Sequence, residues 1–187
     1  MNINRDELVR LTEEYGGAWG INHTRRLLKL IAIIGEGRPY NADALWVAAH
    51  LHDWGGYAKW MQAGVDHALR SRQVAEPFLA ERNYPADEAK LILECIEFHH
   101  SDNTTRCLEV QLLSDADALD FLGVVGVLRD VSKNAKDLRQ AYDISRKRRA
   151  KLPGLLCLAK SKEIAVQRLA DMDDLFVKFE ADSFGCF

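Results

Sequence analysis

The sequence predicts an all-α fold, arranged as a single-domain helical bundle. Apolar residues recur at helical spacing along most of the chain, and no run alternates strictly for the length of a strand. Glycines, prolines and capping residues divide the pattern into helix-sized pieces. At 187 residues the chain can bury one good core and is too short for two comfortable domains with a linker. Residues 1–187 are therefore read as one domain, with the chemistry-bearing motifs in 22–127 and C-terminal helices over 133–182.

The elements follow in chain order. A first helix fits Arg5 to Tyr15 and is stopped by Gly16 and Gly17. Asn22 serves as the N-cap of a second, "HTRRLLKLIAIIGEG", which ends at Gly35 or Gly37. Pro39 and Asn41 open a third, Ala42 to Asp53, with Gly55 and Gly56 as C-terminal stops that also leave room for a substrate. The fourth starts near Val65 or Asp66, bends at Pro77 and reaches Glu81. Pro85 suits the first turn of a fifth, which runs to His100 or Ser101. An unbroken sixth covers Leu108 to Val131. After Lys133 one helix extends to about Lys151, Pro153 and Gly154 break it, and a last helix covers Leu155 to Asp182.

Composition excludes several classes. A net charge of −3 offers no global field for nucleic acid or an anionic membrane. The opening "MNINRDELVRLTEEY" carries acids and no apolar core, so no secretory signal is expected, and no apolar run reaches the ~18 residues of a membrane span. The expected compartment is the cytoplasm. Four cysteines, Cys95, Cys107, Cys157 and Cys186, form no CxxC pair and are expected to be reduced and mostly buried.

All six histidines lie in the first 100 residues. Helical wheels place His23 on a seam with Leu27, Leu30 and Ile34, and His52 with Leu45, Ala48 and Ala49. His67 shares a face with Ser71, Val74 and Phe78, and His100 with Ala89, Leu93 and Ile96. His50 points toward Trp46, and His99 falls on a flank. Four helices thus aim a histidine at the core. In "EVQLLSDADALDFLGVVGVLRD" the apolar arc of Leu112, Leu113, Ala116, Leu119, Val124 and Val127 holds Asp120 near its centre and Asp117 at its edge, with Asp115 further out. A carboxylate in such a face needs a donor, a cation or a metal, and the wheel leaves open which acid meets a metal. Imidazole with carboxylate is an N/O set suited to manganese, iron, cobalt, nickel or zinc, and less to magnesium. His52 and Asp53 also close a helix, where the negative end of the dipole favours a cation.

The ordered set of His23, "HLHD" with His52 and Asp53, and "SDADALD" with Asp117 resembles the HD-domain family of metal-dependent phosphohydrolases. The flanks are similar as well. "NHTRRLLKLI" resembles the family's opening helix, with Arg26 three residues after the histidine. "HLHDWGG" stands where the family reads HD, a small apolar residue and glycine, Trp54 being a departure. "DHALRSRQVAEPFL" resembles the next helix and places His67 at a histidine position. "ILECIEFHHS" resembles the segment ending in His-Ser, matching His100 rather than His99. "LLSDADALDFLG" resembles the last aspartate helix, with Asp117 as ligand and Asp115 or Asp120 behind it. The likeness spans Asn22 to Val127 and is greatest to small stand-alone bacterial members, whose closing helix "LLCLAKSKEIAVQRLADMDDLFVKFE" also resembles.

The resemblance implies an all-α bundle of HD-domain type with one divalent metal on His23, His52, Asp53 and Asp117. Manganese comes first, with iron, cobalt, nickel, zinc or magnesium as alternatives. It implies hydrolysis of phosphate ester or anhydride bonds in nucleotides by an activated water. Arg26 and Lys59 are candidates to neutralise phosphate; His67 and His100 bind phosphate, act as general acid or ligate a second metal. Trp54, Tyr57 and Trp60 are candidates to stack on a nucleobase, ordinary core packing being the preferred alternative. The basic run Arg146 to Lys151 reads as a solvated helix face before a phosphate or RNA attractor. Two other readings stay open: a di-iron oxygenase of the same fold, and a non-catalytic nucleotide-binding module. The oligomeric state is open, a homodimer included.

Overall fold

A computed structural model describes residues 4–100, 103 and 105–187. Among these residues there are eight α-helices and no strand. Helix α1 (Arg5–Ile34) begins where the Asn4 side chain accepts the backbone N–H groups of Asp6 and Glu7 at 3.0 and 3.2 Å. The first helical stretch ends at the expected glycine pair, but contrary to expectation the next follows at once and does not wait for Asn22. One residue, Gly17, leaves helical geometry (φ 61°), and the chain kinks there and continues. Glycine takes that positive-φ conformation without a Cβ clash, so a single residue makes the kink between two helical stretches.

Asn41 caps α2 (Ala42–Leu51), accepting from Ala44 N–H at 2.9 Å. This helix ends before Asp53 and passes into a 3₁₀ turn, Trp54–Gly56. Asp66 caps α3 (His67–Glu81), which contains Pro77 within its length. Pro85 precedes α4 (Ala86–Phe98), which ends short of His100; the expected terminus at Ser101 lies outside the described residues. The expected helix over Leu108 to Val131 is two helices, α5 (Leu108–Asp120) and α6 (Gly123–Lys133). Gly123, at φ 80°, breaks them, and the break shifts the helical phase, so Val124 is 45% exposed instead of joining the apolar arc. Asp137 caps α7 (Leu138–Lys151), which starts later than expected, and a 3₁₀ turn at Leu152–Leu155 precedes α8 (Ala159–Ser183).

By internal contacts the chain divides into two compact units, Met1–Ala116 and Asp117–Phe187, the division falling within α5. In the first, α2 packs on α1 and α4, and α3 packs on α4 and on the Trp54–Gly56 turn. Leu8, Leu27, Leu45, Leu51, Ile92 and Ile96 are fully buried there, each stabilising the fold by roughly 1.5–3 kcal/mol. In the second, α6 packs on α7 and α8 around Val127, Ala141, Met172 and Phe176.

Charge is also buried in the second unit. Asp120 is paired with Arg129, and Asp130 accepts from Ser145 Oγ at 2.9 Å and from Arg148. Arg149 forks onto Asp173 at 2.6 and 2.7 Å, so two arginines of the basic run are tied to acids while Lys147 and Lys151 are exposed. The thiols differ from expectation: Cys95 is buried, but Cys107 and Cys186 are exposed, because they sit outside the helix interiors. Among the described residues no helix is long and apolar enough to cross a membrane.

Candidate metal centre

His23 stands on α1 beyond the Gly17 kink, on the buried seam of Leu27, Leu30 and Ile34. His52 caps the C-terminus of α2, and Asp53 follows it with φ −102° and ψ 2°, turning the chain into Trp54–Gly56. Gly55 lets that turn sit against α3. A Cβ there would meet Ser71 N at 2.3 Å and His67 O at 2.4 Å, and Gly55 N–H donates to Ser71 Oγ at 2.8 Å. The room that this glycine leaves is filled by the backbone of α3, not kept for a substrate. As a result α3 delivers His67 beside Asp53.

Three ligand atoms form a small triangle. His23 Nε2 lies 3.3 Å from His52 Nε2, and Asp53 Oδ2 lies 3.7 Å from the first and 3.5 Å from the second. Both histidines are buried, and the Asp53 side chain is 16% exposed. A point equidistant from atoms so spaced is about 2.0 Å from each, matching the bond of a divalent ion to imidazole nitrogen or carboxylate oxygen. The donor set therefore fits such an ion in both chemistry and size. His52 Nδ1 lies 2.8 Å from Ala49 O. A carbonyl only accepts, so Nδ1 carries the hydrogen and Nε2 keeps its lone pair for the triangle.

The second oxygen of Asp53 faces elsewhere. Oδ1 lies 3.8 Å from His67 Nε2, which lies 2.7 Å from His100 Nε2. His67, His99 and His100 form a second group with ligand atoms within 4.8 Å of one another. Sequence reasoning left His99 on a flank and took His100 as core-facing; the structure buries His99, at 1% exposure, and exposes His100. The helical wheel fails because α4 ends at Phe98, so neither histidine keeps helical phase. His99 repeats the device of His52: it caps a helix, and its Nδ1 lies 2.6 Å from Ile96 O. Its ring centroid is 5.0 Å from that of His52 and 5.3 Å from that of His67. A histidine at a helix end was the available signal. His67 itself is only part-buried, at 36% side-chain exposure, rather than core-facing.

The remaining candidates divide by location. His50 packs on Trp46, ring centroids 3.9 Å apart, with Nδ1 2.8 Å from Trp46 O. Burial pulls its pKa down to about 4. Trp54 is 1% exposed, stacked on Trp60 at 4.5 Å and edge-on to Phe78, so its faces are spent in packing. The Tyr57 ring is tucked against Gly16 and Gly20 of α1. Lys59 sets its ammonium 3.6 Å from the centre of the Tyr15 ring, and Arg26 is part-buried one turn beyond His23. Every residue from 112 to 120 is buried. Asp115, which the wheel set further out, is 1% exposed, because this stretch of α5 is buried all round and has no polar face to assign. Asp117 is 2% exposed, and Asp120 is paired with Arg129.

Comparison with known proteins places this geometry. The Bacillus subtilis protein YpgQ superposes with a TM-score of 0.72 over 95% of this chain and 94% of its own, at 21% identity. YpgQ in complex with ADP matches equally, at 20% identity and a TM-score of 0.72 over the same shares of the two chains. An HD-superfamily hydrolase from Bacillus thuringiensis matches over 98% of this chain and 97% of its own, at 20% identity and a TM-score of 0.71. These likenesses establish a shared fold. No curated protein sequence matches the chain. The family model of the HD domain matches residues 20–122, more than half of the chain. That span carries His23, His52, Asp53 and Asp117 in order, and the chain belongs to the HD-domain family.

Proposed function

We propose that the protein is a metal-dependent phosphohydrolase that cleaves phosphate ester or anhydride bonds of nucleotides. The observation that carries this is the buried triangle of His23 Nε2, His52 Nε2 and Asp53 Oδ2, with sides of 3.3 to 3.7 Å, in a chain of the HD-domain family. Asp117, buried on α5, joins as fourth ligand on the resemblance of "SDADALD" to the family's aspartate helix. Manganese is the first choice of ion, with iron, cobalt, nickel, zinc and magnesium behind it. A divalent cation supplies two things there: a water of near-neutral pKa, and a Lewis acid for charge on a phosphoryl oxygen. A nucleotide is the favoured substrate class, supported by the ADP complex of YpgQ.

The chain's own groups perform the rest. The bond from His52 Nδ1 to Ala49 O holds that imidazole in the ligating tautomer. Arg26, one turn beyond His23, supplies positive charge for phosphate, and Lys59 is the second such candidate. His67 and His100, with Nε2 atoms 2.7 Å apart, are the candidates for general acid toward a leaving oxygen close to Asp53.

One observation favours a second reading. Asp53 turns one oxygen to each histidine group, so His67, His99 and His100 are candidates for a second ion, in the manner of a bridged pair. A two-metal hydrolase and a di-iron oxygenase would both use it. Metal analysis of the purified protein, then a nucleotide panel with manganese, cobalt, nickel and magnesium, distinguishes them. Wild type should bind metal and release phosphate or pyrophosphate; Asp53→Ala should do neither. Two irons with oxygen consumption and intact nucleotides would select the oxygenase, and equal metal and equal hydrolysis in both proteins would refute the site.

A further inference from the structure

We infer that the Tyr57 hydroxyl is an anion-binding donor, giving its hydrogen to a phosphoryl oxygen of the substrate. The inference rests on the phosphohydrolase reading for the substrate's chemistry and on geometry for the position. The ring lies in a slot cut into α1 by two glycines. A Cβ on Gly16 would stand 2.5 Å from Tyr57 Cζ, and one on Gly20 would stand 2.6 Å from Tyr57 Oη. A Cβ at either place would push the phenol aside, so the two glycines make the space that the ring and its hydroxyl end occupy.

The slot lies one helical turn from His23, a member of the metal triangle. Gly20 and His23 are three residues apart in the helical part of α1 beyond the kink, which puts their Cβ positions about 5–6 Å apart. Helical side chains lean back over the preceding turn, which for His23 is the turn of α1 that carries Gly20. At the other side, Tyr57 follows Asp53 through the single turn Trp54–Gly56. Burial, and then the Asp53 charge, push the Tyr57 pKa up, so the group stays a protonated donor.

Tyr57 is 8% exposed, and among the described residues the hydroxyl oxygen is left without a side-chain or backbone partner. A phenol O–H is a donor that a ligand's acceptor oxygen can take up. A phosphoryl oxygen brought to the triangle is such an oxygen, and it is acceptor-only, matching a donor that cannot ionise. The ring lies against Gly16 and Gly20, and its oxygen is the polar atom at the end of the slot.

The test is Tyr57→Phe, which keeps the ring in its slot and removes one oxygen. Inorganic phosphate affinity is measured by calorimetry with and without manganese, beside manganese affinity and nucleotide turnover. The expected result is phosphate affinity lowered about ten- to a hundredfold, the worth of a hydrogen bond to a charged group, with manganese affinity unchanged. Equal phosphate affinity in the two proteins, no phosphate binding by wild type under either condition, or a parallel loss of manganese affinity would each overturn the assignment. Tyr57-dependent phosphate binding without nucleotide turnover by wild type would uphold the donor and refute the phosphohydrolase.

Discussion

Replacing Gly55 with alanine tests how the candidate centre is assembled. The added Cβ would lie 2.3 Å from Ser71 N and 2.4 Å from His67 O, where ordinary contact begins at 3.4 Å. Both obstacles are backbone atoms of a packed helix, so relief requires the turn and α3 to separate by about 1 Å, and overpacking that cannot be absorbed costs up to about 3 kcal/mol. Losing the bond from Gly55 N–H to Ser71 Oγ, 2.8 Å and buried, adds about 1 kcal/mol. Urea unfolding followed by tryptophan fluorescence and circular dichroism should therefore show Gly55→Ala destabilised by about 3–4 kcal/mol. The separation also pulls His67 from Asp53, now 3.8 Å apart, and a misplacement of about 1 Å is worth roughly a hundredfold in turnover. Gly56→Ala is the control: its Cβ would find only His67 Cβ, at 3.9 Å, and its stability should stay within about 0.5 kcal/mol of wild type. Wild-type stability in Gly55→Ala, or equal loss in both variants, would refute the packing account.

Three further outcomes follow from the structure. His50 has its pKa lowered to about 4 from 6.5 by burial; its contribution is complete above pH 6.5 and lost as pH falls to about 4. That amounts to about 3 kcal/mol, which urea midpoints in chelator should show for wild type and much less for His50→Gln; equal slopes would contradict it. Manganese at about 100 times its dissociation constant should stabilise wild type by about 2.7 kcal/mol and raise Tm by roughly 5–10 °C, and Asp53→Ala should abolish the shift; an undiminished shift would place the ion elsewhere. Arg129→Met leaves Asp120 buried without its guanidinium and should cost about 3–5 kcal/mol in denaturant unfolding, a loss below 1 kcal/mol showing that the pair is not what holds this part of the fold.

The legible parts of the sequence were those governed by neighbours in the chain. Asn41 and Asp66 each cap the helix that follows, and His23 lies on the buried seam that its spacing implies. Reading failed where a helix ended or a remote element intervened. The wheel carried α4 past Phe98 and so exchanged His99 for His100. It carried α5 across Gly123, whose φ of 80° no periodicity reveals. Gly16 resembled a stop, although its work is to admit a ring from forty residues onward in sequence. Gly55 resembled a stop too, and it is the contact point of α3.

His52 and His99 are aimed by what their helices leave undone. A helix closes with carbonyls that no later N–H reaches, and Ala49 O and Ile96 O are instead met by imidazole Nδ1. Were α2 to continue one residue, Asp53 N–H would claim Ala49 O, and the carboxylate would turn as Asp53 φ moved from −102° toward about −63°. The length of the helix is thus itself a determinant of ligation. An insertion that merely improved α2 as a helix would unaim its histidine without touching the ring.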